Sequence, residues 1–332
     1  MLKGKKLVSM ILATALSTAI LAGCSGASPA PATPSQTAAP TKTDYPKKSV
    51  TILVPFAAGG SADLTARILA PYAEKHLGQS IIIENLAGGG GAVGQNKGAT
   101  ANPDGYFVTM ATTSIVINPL LNETPFKADD FKGVVQLTEE NDFLVVQSGK
   151  EYKTFAEFIA YAKANPNKIR FGSSGKGTTD DLGNAGMIKA TGIQAQNIPF
   201  DGSGLATTAI LGGHIEAVIG GASSFDQHIK EGKLIPLAVL TPERNPNYPD
   251  VPSIKELGFE VYSGTFRGLV VPAGTPDEIV AILAEACKKG MEEAEYQTQM
   301  TNASLSINYL DSKSFTDKIM ATSAAYKTVL GK

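Results

Sequence analysis

The chain has 332 residues, with 29 lysines and arginines against 31 aspartates and glutamates and a formal net charge of −2 at pH 7. This near-neutral balance excludes the electrostatic footprint of a nucleic-acid binder, since basic residues cluster only at the extreme N-terminus and aromatic residues are scattered. Beyond the N-terminal segment, no apolar stretch reaches membrane-spanning length.

Lys3, Lys5 and Lys6 form a basic leader, and Leu7 to Ile20 follow as an uncharged, mostly apolar run. The pattern predicts a secretory signal over residues 1–23, because the run is too short for a comfortable span. It closes on Leu21-Ala22-Gly23-Cys24-Ser25, which resembles a bacterial lipobox with the lipid carried on Cys24. Residues 24–44 are expected to be the lipidated cysteine and a flexible tether. Ser, Ala, Pro and Thr dominate the tract, with no apolar periodicity to offset the entropy of ordering. Its roughly 20 residues would span on the order of 25 Å root-mean-square.

About 290 residues remain, which is large for a single core and comfortable for two α/β domains. Val50 to Val54 read as a strand, Pro55 to Ser61 as a turn, and Ala62 to Leu77 as a helix closed by Gly78. Pro71 predicts a kink or break within that helix. Strands are expected at Ile81–Ile83 and Phe107–Met110. A second unit opens near Lys153, where Thr154 caps a helix running to about Lys163. Ile169–Gly172 is the next strand, and Thr178 with Asp181 gives a capping-box-like start to a helix ending near Thr191. Ile198–Phe200, Ile215–Ile219 and Leu234–Leu240 are further strands, separated by short helices from near Ser203 and Ser223. Thr265–Val271 then leads to a long helix from Pro276 to about Met291. The alternation predicts parallel sheets covered by helices.

Signals for catalysis are poor. His76, His214 and His228 lie far apart without metal-ligand spacing, so no metal is expected. With Cys24 assigned to lipid, Cys287 is left unpaired and reads as a buried core thiol. Gly89 to Gly94 formally match G-x-G-x-x-G, but Glu84 to Gly88 separate them from the strand and Asp104 sits in a turn. They read as a tight glycine turn, and no cofactor is expected. The stronger signal is a series of small-residue turns between strand and helix: Pro55 to Ser61, Gly172 to Thr178, and Phe200 to Gly204. Such turns lie at the carboxyl ends of parallel strands, where backbone N–H groups, helix N-termini and hydroxyls can hold an anion. The alternative is that they are ordinary connections.

Tyr45-Pro46-x-Lys48 and Ile52-x-Val54-Pro55-Phe56-x-Ala58-Gly59-Gly60-x-x-Asp63-x-x-Ala66-Arg67 open an ordered series of motifs. It continues through Gly78-Gln79, Glu84-Asn85, Pro103-Asp104-Gly105-Tyr106, Asn118-Pro119, Ile198-Pro199-Phe200 and Leu211-Gly212-Gly213, and ends at Pro249-x-Val251-Pro252 and Pro272-Ala273-Gly274-Thr275-Pro276. The series resembles the Bug family, the extracytoplasmic receptors of tripartite tricarboxylate transporters, over essentially everything after the tether.

The resemblance implies an α/β chain of the type II periplasmic-binding-protein fold, two α/β lobes with a ligand cleft between them. Residues 45–147 with 265–332 would form one lobe and 148–264 the other. It implies a monomer that binds a small organic carboxylate, a di- or tricarboxylate, an aromatic acid or an acidic amino acid, by two-lobe closure. The receptor would deliver it to integral-membrane transporter subunits while held by lipid at the outer face or periplasmic side of the membrane. Ala58, Gly59, Gly60 and Ser61 on one lobe, and Ser173, Ser174, Gly175, Thr178 and Thr179 on the other, would hold the carboxylate. Thr113 and Ser114 would line the first lobe's side, Phe56 and Phe200 would supply walls, and Ala222-Ser223 another helix-start contact. The chain departs from the family in Phe200-Asp201-Gly202 and Asp181-Leu182, which add acidity. Asp180 and Asp181 are expected to face solvent at a helix start. Asp201 would either face water or meet a ligand ammonium. Asp63 and Arg67 read as a structural i, i+4 pair. Two other functions stay open: a sensor for a membrane kinase, and a hydrolase using Ser61 or Ser173, for which no base is evident.

Overall fold

The computed structural model describes residues 44–332; the expected signal, Cys24 and nearly all of the tether lie outside the described residues. β1 (Val50–Val54) leads through a turn into α1 (Ser61–Leu77), β2 (Ile81–Asn85), α2 (Ala92–Ala99) and β3 (Phe107–Thr112). α1 stops at Gly78, whose φ of 75° lets its N–H close on the Glu74 carbonyl at 2.9 Å. The helix runs unbroken through Pro71. Pro71 and Arg67, whose carbonyl loses its partner, both lie on the exposed face, so the break expected from sequence is avoided.

After α3 (Ser114–Leu121) comes β4 (Phe131–Gln147), which organises the molecule. From Phe131 to Asn141 it pairs antiparallel with β9 (Gly264–Pro272), completing a sheet ordered β2-β1-β3-β9-β4. From Asp142 to Val146 it pairs with β7 (Ala217–Gly221), in a second sheet with β5 (Ile169–Ser173), β6 (Ala195–Pro199) and β8 (Leu234–Val239). One strand therefore crosses from the first sheet to the second at Asn141–Asp142. Within each sheet the α/β connections are parallel: β1 to β2 and β3, and β5 to β6 and β7.

Each sheet buries its own core. Ile52 and Val54 of β1 pack with Ile68, Leu69 and Tyr72 of α1 and with Leu283 and Cys287 of α8 (Asp277–Glu292). The Cys287 thiol is buried there, and burial pushes its pKa up to about 12. Leu144, Phe171 and Ile219 pack with Phe158 of α4 (Phe155–Ala164) in the other. Each fully buried side chain of this size stabilises the fold by about 1.5–3 kcal/mol before entropy. α4 starts as expected: Glu157 N–H donates to Thr154 Oγ1 at 3.3 Å, and Thr154 N–H to the Glu157 carboxylate at 3.0 Å. α5 (Thr179–Thr191) has the predicted span but not the predicted cap. The Thr178 hydroxyl turns to the Gly175 carbonyl at 2.6 Å, and Asp181 accepts from Gly177 N–H instead.

The remaining elements are α6 (Ser203–Leu211), α7 (Asp226–Lys230), α9 (Ala294–Asn302), β10 (Ile307–Leu310) and α10 (Ser312–Leu330), which packs on β4. No helix among the described residues is long and apolar enough to cross a membrane.

Candidate functional site

The turns at the carboxyl ends of the strands of both lobes converge. The turn after β1 is held by Asp63, which accepts from Gly59 N–H, Asn85 Nδ2 and Arg67 Nε, each at 2.9 Å. Burial pulls the Asp63 pKa upward, but these bonds, Arg67's first, outweigh it and hold the carboxyl below its usual range. After β3, Ser114 Oγ lies 2.9 Å from Thr112 Oγ1 and accepts from Gln95 Nε2 at 2.7 Å. Asn118, fully buried, donates to Gln95 Oε1 and to the Gly90 carbonyl.

On the other lobe, Asp180 gathers the turn after β5. It accepts from Ser174 N–H at 2.6 Å, from Ser174 Oγ at 3.0 Å, and from Thr178 Oγ1. Its carboxyl is therefore buried, not turned to solvent as expected from sequence, and burial raises its pKa. The sequence reading missed this because an acid beside a helix start normally faces water.

The lobes touch. Ala57 N–H donates to the Asp201 carbonyl at 2.8 Å, and Ser61 N–H to Ser203 Oγ at 3.1 Å. Ser61 Oγ lies 2.9 Å from the hydroxyls of both Ser223 and Ser224. Between these contacts lies a cavity whose lining includes six residues expected from sequence: Phe56, Gly60, Ser114, Ser174, Thr178 and Thr179. Gly59, Ser61 and Ser223 line an adjoining cleft. Others stand elsewhere. Thr113 Oγ1 accepts from Phe266 N–H and so ties β3 to β9. Ser173 is fully buried, its hydroxyl without a partner among the described residues, Gly175 abuts Gly90, and Ala222 lines a different cleft. Phe200 packs against the second lobe's core and Gly202 faces Ala57. Ala58 and Asp201 are exposed, so the Asp201 side chain faces water while its carbonyl bridges the lobes.

Sequence reasoning did not find the charged groups in and directly behind the lining. Arg267 of β9 and Glu140 of β4 form a buried ion pair, and Glu140 also accepts from Ser223 N–H and Oγ at 3.1 and 2.8 Å. Asp142, 1% exposed, accepts from Ser263 Oγ at 2.6 Å. Burial, reinforced by Asp180 and Glu140 and opposed by Ser263 and Arg267, pushes Asp142 up to about 7. Such a group is protonated in the folded state and ionised in the unfolded state at pH values between about 4 and 7. Its stabilising contribution is present below the unfolded pKa and is lost as pH rises through the folded one. The expected result is that Asp142→Asn removes about 2 kcal/mol of the stability loss between pH 5 and 7, read from urea unfolding at each pH. An unchanged pH profile would mean that Asp142 is not the titrating group.

Strand-end turns of two α/β lobes, meeting over one polar cavity and joined by a strand common to both sheets, define a two-lobed solute-binding protein. The model of the "Tripartite tricarboxylate transporter family receptor" matches residues 65–332. The "UPF0065 protein in gbd 5'region" of Cupriavidus necator is 32% identical over 291 residues, covering 87% of this chain and 88% of that protein. Among solved structures, periplasmic binding protein BugD superposes with a TM-score of 0.82 at 26% identity, over 86% of this chain and 98% of that one. MatC from Rhodopseudomonas palustris, with bound malate, gives 0.81 at 26% identity, over 86% and 99%. The chain belongs to the tripartite tricarboxylate transporter receptor family, the periplasmic solute-binding receptors that include the Bug proteins.

Proposed function

We propose that this chain captures a small organic carboxylate in the cleft between its lobes and delivers it to integral-membrane transporter subunits. In this reading residues 45–147 with 265–332 move as one lobe and 148–264 as the other, the protein acts as a monomer, and a lipid on Cys24 holds it to the membrane. The observation that carries it is the convergence of turns from both lobes on one hydroxyl-lined cavity. Gly60 on one side and Thr179 on the other bring backbone N–H groups at helix starts, and Thr179 a hydroxyl, to the cavity, where anions are favoured. Ser61, Ser174 and Thr178 hold the two turns in place through their bonds to Ser203, Asp180 and Gly175. Malate in the related MatC supports a carboxylate ligand here. Ligand contacts made by both lobes favour the closed form, the one the transporter would recognise.

A thermal-shift screen of the full chain in detergent against di- and tricarboxylates, aromatic acids and acidic amino acids tests the reading. A ligand binding only the folded form adds about 2.7 kcal/mol of apparent stability at a hundredfold excess over its Kd. At least one acid is expected to stabilise without being consumed. Silence from every acid with a folded protein would refute carboxylate capture, and turnover would point to the hydrolase instead.

A further inference from the structure

Two charged groups in the cavity lining keep unused hydrogen-bonding capacity. Asp142 lines the cavity, and while its Oδ2 accepts from Ser263, its Oδ1 has no partner among the described residues. Arg267, 6% exposed, also lines it. Its Nη1 donates to Glu140, while Nε and Nη2 have no partner among the described residues. The neighbouring acids differ. Both oxygens of Asp180 already have partners, in Ser174 and the Asp181 N–H, and both oxygens of Glu140 have theirs in Ser223 and Arg267. An open carboxylate oxygen and open guanidinium N–H groups on otherwise buried side chains, both lining one cavity, point to a ligand that completes both.

Their placement follows from the strand register. Arg267 stands opposite Thr138 on β4, and Thr138, Glu140 and Asp142 alternate onto one face of that strand. Arg267 reaches along this face to Glu140, and Asp142 is the next residue on it, about 7 Å further by strand geometry. The charge balance points the same way. Arg267 is the one basic residue in the described lining, and Glu140 already neutralises it. A plain dicarboxylate would add two negative charges beside Asp142 and Asp180 and keep Asp142 protonated, whereas a protonated amine balances Asp142 in its ionised form.

We propose that the cleft selects a carboxylate that also bears a protonated amine, an amino acid or amino diacid. Its ammonium would donate to Asp142 Oδ1, and its carboxylate would accept from Nε and Nη2 of Arg267. This rests on the cleft being the solute site proposed above. Asp180 from α5, Glu140 on the same strand, Arg267 from β9 and Tyr326 from α10 all face Asp142 electrostatically. An ammonium seated there draws the proton off Asp142, so binding near pH 7 releases a proton.

The test is calorimetric titration of the full chain with matched pairs: succinate against aspartate, glutarate against glutamate, adipate against 2-aminoadipate. At least one amino member is expected to bind tenfold or more tighter than its plain partner, with an enthalpy that depends on the ionisation heat of the buffer at pH 7. In Asp142→Asn, which keeps shape and the Ser263 bond, that preference and the proton release should both vanish. Plain acids binding as tightly as their amino partners, or a preference surviving in Asp142→Asn, would overturn this inference and leave carboxylate capture standing. No binding by either member of any pair would overturn this inference, while carboxylate capture would be decided by the wider screen of tricarboxylates and aromatic acids.

Discussion

Replacing Glu140 with glutamine is expected to destabilise the fold by about 3–5 kcal/mol, because it breaks a buried ion pair behind the cleft lining. The glutamine retains an oxygen to accept from Ser223 N–H but removes the charge that answers Arg267. The side chains of Arg267 and Glu140 are 7% and 3% exposed, so water replaces the lost partner poorly. A guanidinium left alone at that depth carries its desolvation cost unrelieved. The pair also has a mechanical role, since it ties β4 to β9 next to the point where β4 passes between the sheets. The double change Glu140→Gln with Arg267→Met removes both charges and should recover most of the loss. It should not recover all of it, because Ser223 Oγ then has a weaker acceptor. Urea unfolding midpoints of the two single variants and the double variant complete the cycle. A loss below about 1 kcal/mol in Glu140→Gln would mean that the pair behaves as a solvated surface bridge.

This pair also marks where sequence reasoning stopped. The β1 turn, α1 with its Gly78 stop, the Thr154 cap and the strand–helix alternation were legible because each is set by residues within one turn or one strand of each other. The glycine turn expected over Gly89 to Gly94 was legible in its first half: Gly89 to Gly91 have positive φ, while Gly94 belongs to α2. β4 was not. Its centre, Thr138-Glu139-Glu140-Asn141-Asp142, has the composition of an exposed loop, and its burial depends on β7 and β9, roughly 80 and 125 residues further along the chain. Asp180 and Asp181 misled for a related reason: the buried acceptor role of Asp180 is defined by the turn folding back over it. Local chemistry thus announced the loops that present hydroxyls and amides. The charges beneath them are fixed by strand register, which no short motif carries.

Gly90→Ala is expected to weaken ligand binding by a hundredfold or more while leaving the unliganded fold nearly intact. Gly90 sits in the first lobe at φ 63°, and a Cβ there would overlap the Lys176 carbonyl oxygen of the second lobe, a backbone atom that cannot rotate away. From the other side, a Cβ on Gly175 would lie 2.5 Å from Gly90 Cα. Both glycines are therefore required by the approach of one backbone to the other, and that approach exists only when the lobes are together. With the lobes apart, alanine at position 90 carries only its left-handed strain, about 1 kcal/mol. With them together it must push the Gly175–Gly177 turn outward, and the bonds from Ala57 N–H to Asp201 and from Ser61 N–H to Ser203 lengthen with it. A population shift of about 2.7 kcal/mol toward the open form lowers apparent affinity a hundredfold. The measurements are ligand titration and small-angle scattering, with urea unfolding as the control. Weak binding, a larger radius of gyration in the presence of ligand and a near-normal unfolding midpoint together would place the defect in closure. Full affinity in Gly90→Ala would show that ligand is held without the two turns meeting, and capture by closure would have to be abandoned.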